Sequence, residues 1–393
     1  MKLPFTDTEF KTRVERVRKD MQGAGVELLL VSDPNNIYWL TGAEDWAFYV
    51  PQFVLVSADD PMPTWYGRAM DRPGALLSTW LDNAHVAAYA ESYVQKTDCH
   101  PSEALSAYIK DTHPGVKRVG YESDTYYFSP RSLQCLIDGL PDATFVDCDL
   151  LVNRARLRKS PAEIAYMRNA SEIASATMSH AMELIEPGVR QSDVMAEVFK
   201  TQIAFNGRFG GSVTGLSPII LAGEKASTAH PAWTDDPFEE GQTIALELGG
   251  SCRRYCCGLA RTMHLGRDLP ADVTSTAKAV NEGMEKVLET MRPGVVAGEV
   301  HGAWQKVLDN YGLTKESRIG YGIGIGFPPD WGERAVSLRQ EDTTELEPGM
   351  TFHIILGMWM DGWGLELSET VHITADGSEC LTNFSRELVQ KYS

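Results

Sequence analysis

Apolar positions along this chain fall into two periods, one of strands and one of helices. Val26-Glu27-Leu28-Leu29-Leu30-Val31 is an almost unbroken apolar run of strand length, and Phe53-Val54-Leu55-Val56 is another; both read as buried strands. Between them, Asp33-Pro34-Asn35-Asn36 has turn chemistry and is expected to be a turn. From about residue 11 to 155 helix and strand signals interchange, which predicts an α/β domain. A boundary is expected near Leu157-Arg158-Lys159. There Ser160-Pro161-Ala162-Glu163 supplies an N-cap, a proline in the first turn and a glutamate three residues after the cap. A long helix therefore starts here and runs toward Pro187-Gly188. The expected domains are 1–157 and 158–393.

The second domain repeats itself. Glu183-Leu184-Ile185-Glu186-Pro187-Gly188-Val189 returns as Glu289-Thr290-Met291-Arg292-Pro293-Gly294-Val295, an offset of 106 residues. Strand segments return at an offset of 108: Gly241 to Ile244 with Gly349 to Phe352, and Thr262-Met263-His264 with Thr370-Val371-His372. A repeat of this kind predicts two αβ halves facing each other around one pocket. The halves are chemically unequal, because Glu247 in the first falls at the place of Ile355 in the second.

Composition narrows the class. With 393 residues and 43% hydrophobic content the chain has ample core for two domains. A net charge of −18 and a pI near 5.0 argue against nucleic acid or an anionic membrane as partner, and favour a small substrate. No apolar run reaches membrane-spanning length, and Met1-Lys2-Leu3-Pro4-Phe5-Thr6-Asp7 lacks the apolar core of a signal peptide, so a cytoplasmic location is expected. Seven cysteines without a metal-finger spacing suit free thiols in a reducing compartment. Cys252, Cys256 and Cys257 are expected to be small apolar residues on strands rather than a soft-metal site.

Several landmarks carry a family likeness. Ala229-His230-Pro231, Gly241 to Glu247, Tyr255 to Arg261-Thr262, Gly320-Tyr321-Gly322-Ile323-Gly324, Glu347-Pro348-Gly349-Met350 and Glu369-Thr370 together resemble the pita-bread superfamily of methionine aminopeptidases, prolidases and creatinase. The resemblance implies an α/β (α+β) chain: an N-terminal creatinase/prolidase-type α/β domain, then a C-terminal pita-bread domain with duplicated αβ halves. In the metallopeptidases of that superfamily two Asp, one His and two Glu hold two metals. The matching positions here are Glu247, Gly258, Tyr321, Ile355 and Ser368. A dinuclear site needs several oxygen and imidazole donors converging at about 2.0–2.2 Å, and Gly and Ile offer none. Neither metal nor other cofactor is expected.

Longer motifs narrow the likeness. Asp33 to Asn36, Trp39-Leu40-Thr41-Gly42, Asp45-Trp46-Ala47-Phe48-Tyr49-Val50, Pro328-Pro329-Asp330-Trp331-Gly332-Glu333-Arg334 and Glu347 to His353 look like the ectoine hydrolases, creatinase relatives that open a cyclic amidine without metal. The chain departs from that pattern at Gly210 to Gly215, at Pro231-Ala232-Trp233 and at Cys256 to Ala260, segments expected to border the pocket.

Individual residues then take candidate roles. On the apolar strand Ile244 to Leu248, Glu247 is costly to bury without a cation or several donors. It is either half of a structural salt bridge or a nucleophile for an amidinium carbon. His230 matches the histidine that creatinase-type enzymes use as acid and base, and imidazole titrates near working pH. Tyr321 is either a packed tyrosine or a donor to charge developing at the attacked centre, worth roughly 2.7–4 kcal/mol. Tyr255, Asp330 and Trp331 are candidate walls for a cation. Arg334 either grips a substrate carboxylate or belongs, with Glu333, to a solvated loop. Trp46, Phe48 and Tyr49 either cap the pocket of a second subunit, as the resemblance implies, or form a packing patch.

The function these readings imply is metal-independent hydrolysis of the cyclic amidine ectoine to an N-acetyl-2,4-diaminobutyrate, by a homodimer acting on a small zwitterionic substrate. The alternatives are amidinohydrolysis of a creatine-like guanidinium compound, and a pita-bread domain kept as a binding module.

Overall fold

The Leu28–Val31 run sets the first sheet: as strand β1 it is buried at all four residues, with β2 (Phe53–Ser57) on one side and β5 (Arg118–Tyr121) on the other. A strand covered on both faces needs such a continuous apolar sequence. The structure, a computed structural model, describes residues 2–205 and 208–392. It divides into two compact units, Met1–Arg156 and Leu157–Ser393.

In the first unit β3 (Thr64–Arg68), β4 (Val86–Tyr89) and β6 (Thr144–Asp147) complete a mixed sheet in the order β4-β3-β2-β1-β5-β6. Its helices are α1 (Asp7–Ala24), α2 (Pro34–Thr41), α3 (Arg72–Ser78), α4 (Pro101–Thr112), α5 (Pro130–Gly139) and α6 (Leu151–Ala155). The expected turn at Asp33 to Asn36 is instead the start of α2. The Asp33 carboxylate accepts the Asn35 N–H at 2.8 Å and Pro34 takes the first helical position. A capping aspartate followed by proline serves a helix start as well as a turn.

The second unit opens as expected with α7 (Pro161–Leu184), whose capping box is closed by Ser160 and Glu163. α8 (Gln191–Ala204), α9 (Ala271–Thr290) and α10 (Ala297–Tyr311) follow. The strands are β7 (Ile219–Ala222), β8 (Thr243–Cys252), β9 (Tyr255–Leu265), β10 (Gly320–Phe327), β11 (Asp330–Ser337), β12 (Thr351–Met360), β13 (Trp363–Ile373), β14 (Ser378–Cys380) and β15 (Val389–Lys391). Their order is β14-β13-β12-β10-β9-β8-β7, with β11 on β10 and β15 on β9.

The repeat is visible in the cores. Ile244, Leu246 and Leu248 of β8 pack with Met178 and Ala181 of α7, while Phe352, Ile354 and Leu356 of β12 pack with Met284 of α9 and Trp304 of α10. Those strand triplets stand 108 residues apart. Because side chains alternate along a strand, the intervening residues Glu247, His353 and Ile355 are turned to the opposite face.

Candidate active site

Two hairpins present that opposite face. In β8–β9, Glu247 lies opposite Ala260 and Gly249 opposite Gly258. In β12–β13, His353 lies opposite Thr370, Ile355 opposite Ser368 and Gly357 opposite Glu366, while Tyr321 of β10 pairs with His353. The hairpins are tied through hydroxyls. Ala260 N–H donates to Ser368 Oγ (2.6 Å), Gly258 N–H donates to Thr370 Oγ1 (3.0 Å), and Glu366 N–H donates to Thr262 Oγ1 (2.8 Å). Thr262 with Glu366 and Gly258 with Thr370 are equivalent pairs under the 108-residue repeat, so this seam is where the halves meet.

Glu247 is 5% exposed and Asp330 and Glu366 lie near enough to act on it, so burial first and like charge second push its carboxyl well above the usual range. Burial likewise holds Glu366 up at about 7, opposed by Lys315. The imidazole beside Glu247 is His353, whose Nδ1 is 4.0 Å from Glu247 Oε1. Burial and then Arg318 push His353 down to about 3, so it is neutral and no partner for an ion pair.

A hydrogen-bonded chain fixes this ring. Ser368 Oγ is 2.8 Å from His353 Nε2, Tyr321 Oη is 3.1 Å from Nδ1, and Trp331 Nε1–H donates to Tyr321 Oη at 2.9 Å. Since Ser368 Oγ already accepts the Ala260 N–H, the assignment that satisfies every donor sends its proton to Nε2. Nδ1–H then donates to Tyr321. Accepting two hydrogen bonds, Tyr321 still has its own hydroxyl proton to donate. Burial and the charge of Glu247 raise the phenol far above its ordinary value, so that proton stays on.

A metal does not fit this donor set. Of the five positions that resemblance assigns to ligands, only Glu247 carries a carboxylate, and Tyr321 and Ser368 are engaged with His353. Among the described residues no group of three or more His, Cys, Asp and Glu is placed to hold an ion.

The other candidates divide. Asp330 lies near enough to act on Glu247, and its Oδ1 accepts the backbone N–H of Trp331 (2.7 Å) and of Gly332 (3.0 Å). Trp331 is buried against His353, with ring centroids 5.7 Å apart at 85°. Tyr255 is a correction. It is fully buried, its hydroxyl donates to Glu163 Oε1 (2.7 Å) and its ring stacks on Tyr166, so it serves the core rather than a cation wall. Glu333 is not in a solvated loop but in a buried ion pair with Lys159 at 2.5 Å. Arg334 is half-buried on β11 with a left-handed φ of 60°. His230 lies in the exposed loop before β8 and makes no hydrogen bond or ion pair with any described residue. Cys252, Cys256 and Cys257 are buried cysteines on β8 and β9. Gly215, in a departing segment, borders the site: a Cβ there would meet the Asp330 carbonyl oxygen at 2.4 Å.

In the first unit Trp46 (51% exposed) and Tyr49 (65%) stand out of the surface, with Phe48 against both Trp46 and Tyr127. Tyr126, 67% exposed, extends this patch. His353, Glu366, Arg318 and Tyr126 were not singled out by the sequence. His353 was within reach, two residues before Ile355 and thus on its face.

Comparisons with known proteins bear on family and fold. The sequence model of Metallopeptidase family M24 matches residues 165–375, and that of the Creatinase/Prolidase N-terminal domain matches residues 13–158. A protein named ectoine hydrolase, from Halomonas elongata, is 42% identical over 99% of this chain and 99% of its own. An uncharacterized hydrolase/peptidase of Sinorhizobium fredii is 38% identical, again over 99% of both. Among solved structures, the prolidase from Pyrococcus horikoshii OT3 matches with a TM-score of 0.81 at 22% identity, covering 96% of this chain and 100% of that one. That last likeness is one of fold.

Proposed function

Since this chain belongs to Metallopeptidase family M24, with the Creatinase/Prolidase N-terminal domain and among the ectoine-hydrolase-like members of the pita-bread superfamily, we propose that it opens the amidine ring of ectoine by metal-independent C–N hydrolysis. The observation that carries this is Glu247: a buried carboxylate on the pocket face whose nearest imidazole is neutral and whose neighbours Glu366 and Asp330 are acids. Such a group is poised for a cationic ligand, which would drive off its proton and lie against it.

In the proposed reaction Glu247 attacks the amidinium carbon, and the electron pair of that C=N bond moves to nitrogen. Collapse breaks one ring C–N bond and leaves an imidate ester on Glu247. His230, in the exposed loop before β8, protonates the departing ring nitrogen and then takes a proton from water. Water adds to the imidate carbon, its oxygen becomes the acetamide oxygen, and Glu247 leaves as carboxylate. Tyr321, holding its proton between His353 and Trp331, donates to the charge that builds at the attacked centre. Asp330 and the face of Trp331 hold the cation, and Arg334 meets the substrate carboxylate.

A homodimer is the proposed working unit, with Trp46, Phe48 and Tyr49 of one chain over the pocket of the other. The exposure of Trp46, Tyr49 and Tyr126 side by side on one surface supports it. Incubation with ectoine after prolonged chelation tests the proposal: an N-acetyl-2,4-diaminobutyrate should form at an undiminished rate. Urea from a creatine-like compound instead, or a loss restored by a divalent ion, overturns it.

A further inference from the structure

Opposite Gly357 in the unbroken β12–β13 ladder stands Glu366, on the same face as His353 and Ile355. It is 3% exposed, and its Oε2 is buried without a hydrogen-bond partner among the described residues. The same is true of the indole Nε1 of Trp359, two residues beyond Gly357 and on that face too. The pair flanks one glycine. A Cβ on Gly357 would lie 2.9 Å from the Trp359 ring and 3.4 Å from Glu366 Cγ. Buried donors and acceptors are nearly always satisfied, so an unbonded acceptor and an unbonded donor side by side are expected where a ligand completes them.

Lys315, the cation that acts on Glu366, is held elsewhere. Lys315 donates to the Gly357 carbonyl at 2.7 Å and sits 4.5 Å from the centre of the Trp359 ring. A bound ligand can supply the partners that both atoms lack among the described residues. A ligand that fits has an N–H and a carboxylate on adjacent atoms, the N–H for Glu366 and the carboxylate for the indole.

We propose that Glu366 and Trp359 are binding residues that select amidines bearing a carboxylate on the carbon next to a ring N–H: Glu366 accepts that N–H and Trp359 donates to that carboxylate. This rests on the amidine-hydrolase reading above and deepens it. Ectoine has that arrangement. In creatine the nitrogen next to the carboxymethyl group carries a methyl in place of hydrogen, so Glu366 finds no donor there.

The test compares ectoine turnover with competition by the decarboxylated ring, 2-methyl-1,4,5,6-tetrahydropyrimidine. Glu366→Gln should raise both the KM for ectoine and the Ki of the decarboxylated ring by about ten- to hundredfold, as for loss of a hydrogen bond to a charged group. Its kcat should change far less, and its Tm should hold or rise, because an unsatisfied buried carboxyl is removed. A structural role would lower Tm instead. Trp359→Phe should raise the KM for ectoine by a similar factor and leave the Ki of the decarboxylated ring unchanged, so Trp359→Phe alone decides if Glu366→Gln does not fold. Wild-type KM in Trp359→Phe, equal losses for both ligands in Trp359→Phe, or a decarboxylated ring that does not compete each overturns the inference while ectoine hydrolysis stands. If the wild type opens no cyclic amidine, the parent reading falls and the inference with it.

Discussion

Gly258 and His353 share one volume: a Cβ on Gly258 would stand 2.8 Å from His353 Nε2. Where the metallopeptidase frame projects an aspartate, this protein has placed a neutral imidazole from the facing hairpin. Gly258→Ala should therefore cost about 1–3 kcal/mol of stability by overpacking. In a His353→Ala background the same change should cost much less. A denaturant double-mutant cycle measures the coupling, and additive losses would mean the two do not compete for space.

The same imidazole sets an acid limb of stability. Its folded-state value of about 3 lies below the ordinary 6.5. As pH falls the unfolded chain takes the proton first, so the stability that neutral His353 confers is complete above 6.5 and is lost progressively toward 3. Between pH 7 and pH 5 this amounts to about 2 kcal/mol. His353→Gln should lose that much less over the interval in urea titrations. Glu366 runs the other way: raised to about 7, its contribution is present below 4.5 and lost as pH rises through 7. Glu366→Gln should accordingly flatten the alkaline limb.

Two tyrosines separate core from chemistry. Tyr255→Phe removes the hydrogen bond to Glu163 and should lower stability by about 1 kcal/mol with kcat and KM unaltered. Tyr321→Phe removes the proposed donor and should lower kcat by about 10²–10³. Steady-state kinetics beside thermal melts distinguish them. A changed KM in Tyr255→Phe would return that ring to the pocket wall.

These cases show how much the sequence disclosed. The repeat at 108 residues was legible because Gly241 to Ile244 returns as Gly349 to Phe352 and Thr262-Met263-His264 as Thr370-Val371-His372; the packed triplets Ile244-Leu246-Leu248 and Phe352-Ile354-Leu356 are its counterpart in the cores. Glu247 was legible as the single acid in an apolar strand. Tyr255 was misjudged because β9 is buried along its whole length, and burial alone does not tell pocket from core. Glu366 was hidden for another reason: only the β12–β13 register puts it opposite Gly357, and that register depends on a hairpin whose turn the apolar pattern does not locate.

Subunit exchange tests the cap. One inactive variant would carry Trp46→Ala with Phe48→Ala, and the other Glu247→Gln. Each mixed dimer has one pocket with both lesions and one with neither, so random exchange should restore activity to about a quarter of wild type. Verified exchange without recovery would assign the patch to its own chain.

In the proposed reaction Glu247 becomes covalently bonded to substrate. In His230→Ala, attack should proceed while the proton-dependent steps that follow it, ring opening and release by water, stall. Intact-protein and peptide mass spectrometry after incubation with ectoine should find a mass increase equal to one substrate molecule, located on Glu247. Ectoine hydrolysis at near-wild-type rate in Glu247→Gln, with no adduct on that position in His230→Ala, would rule out covalent catalysis by Glu247.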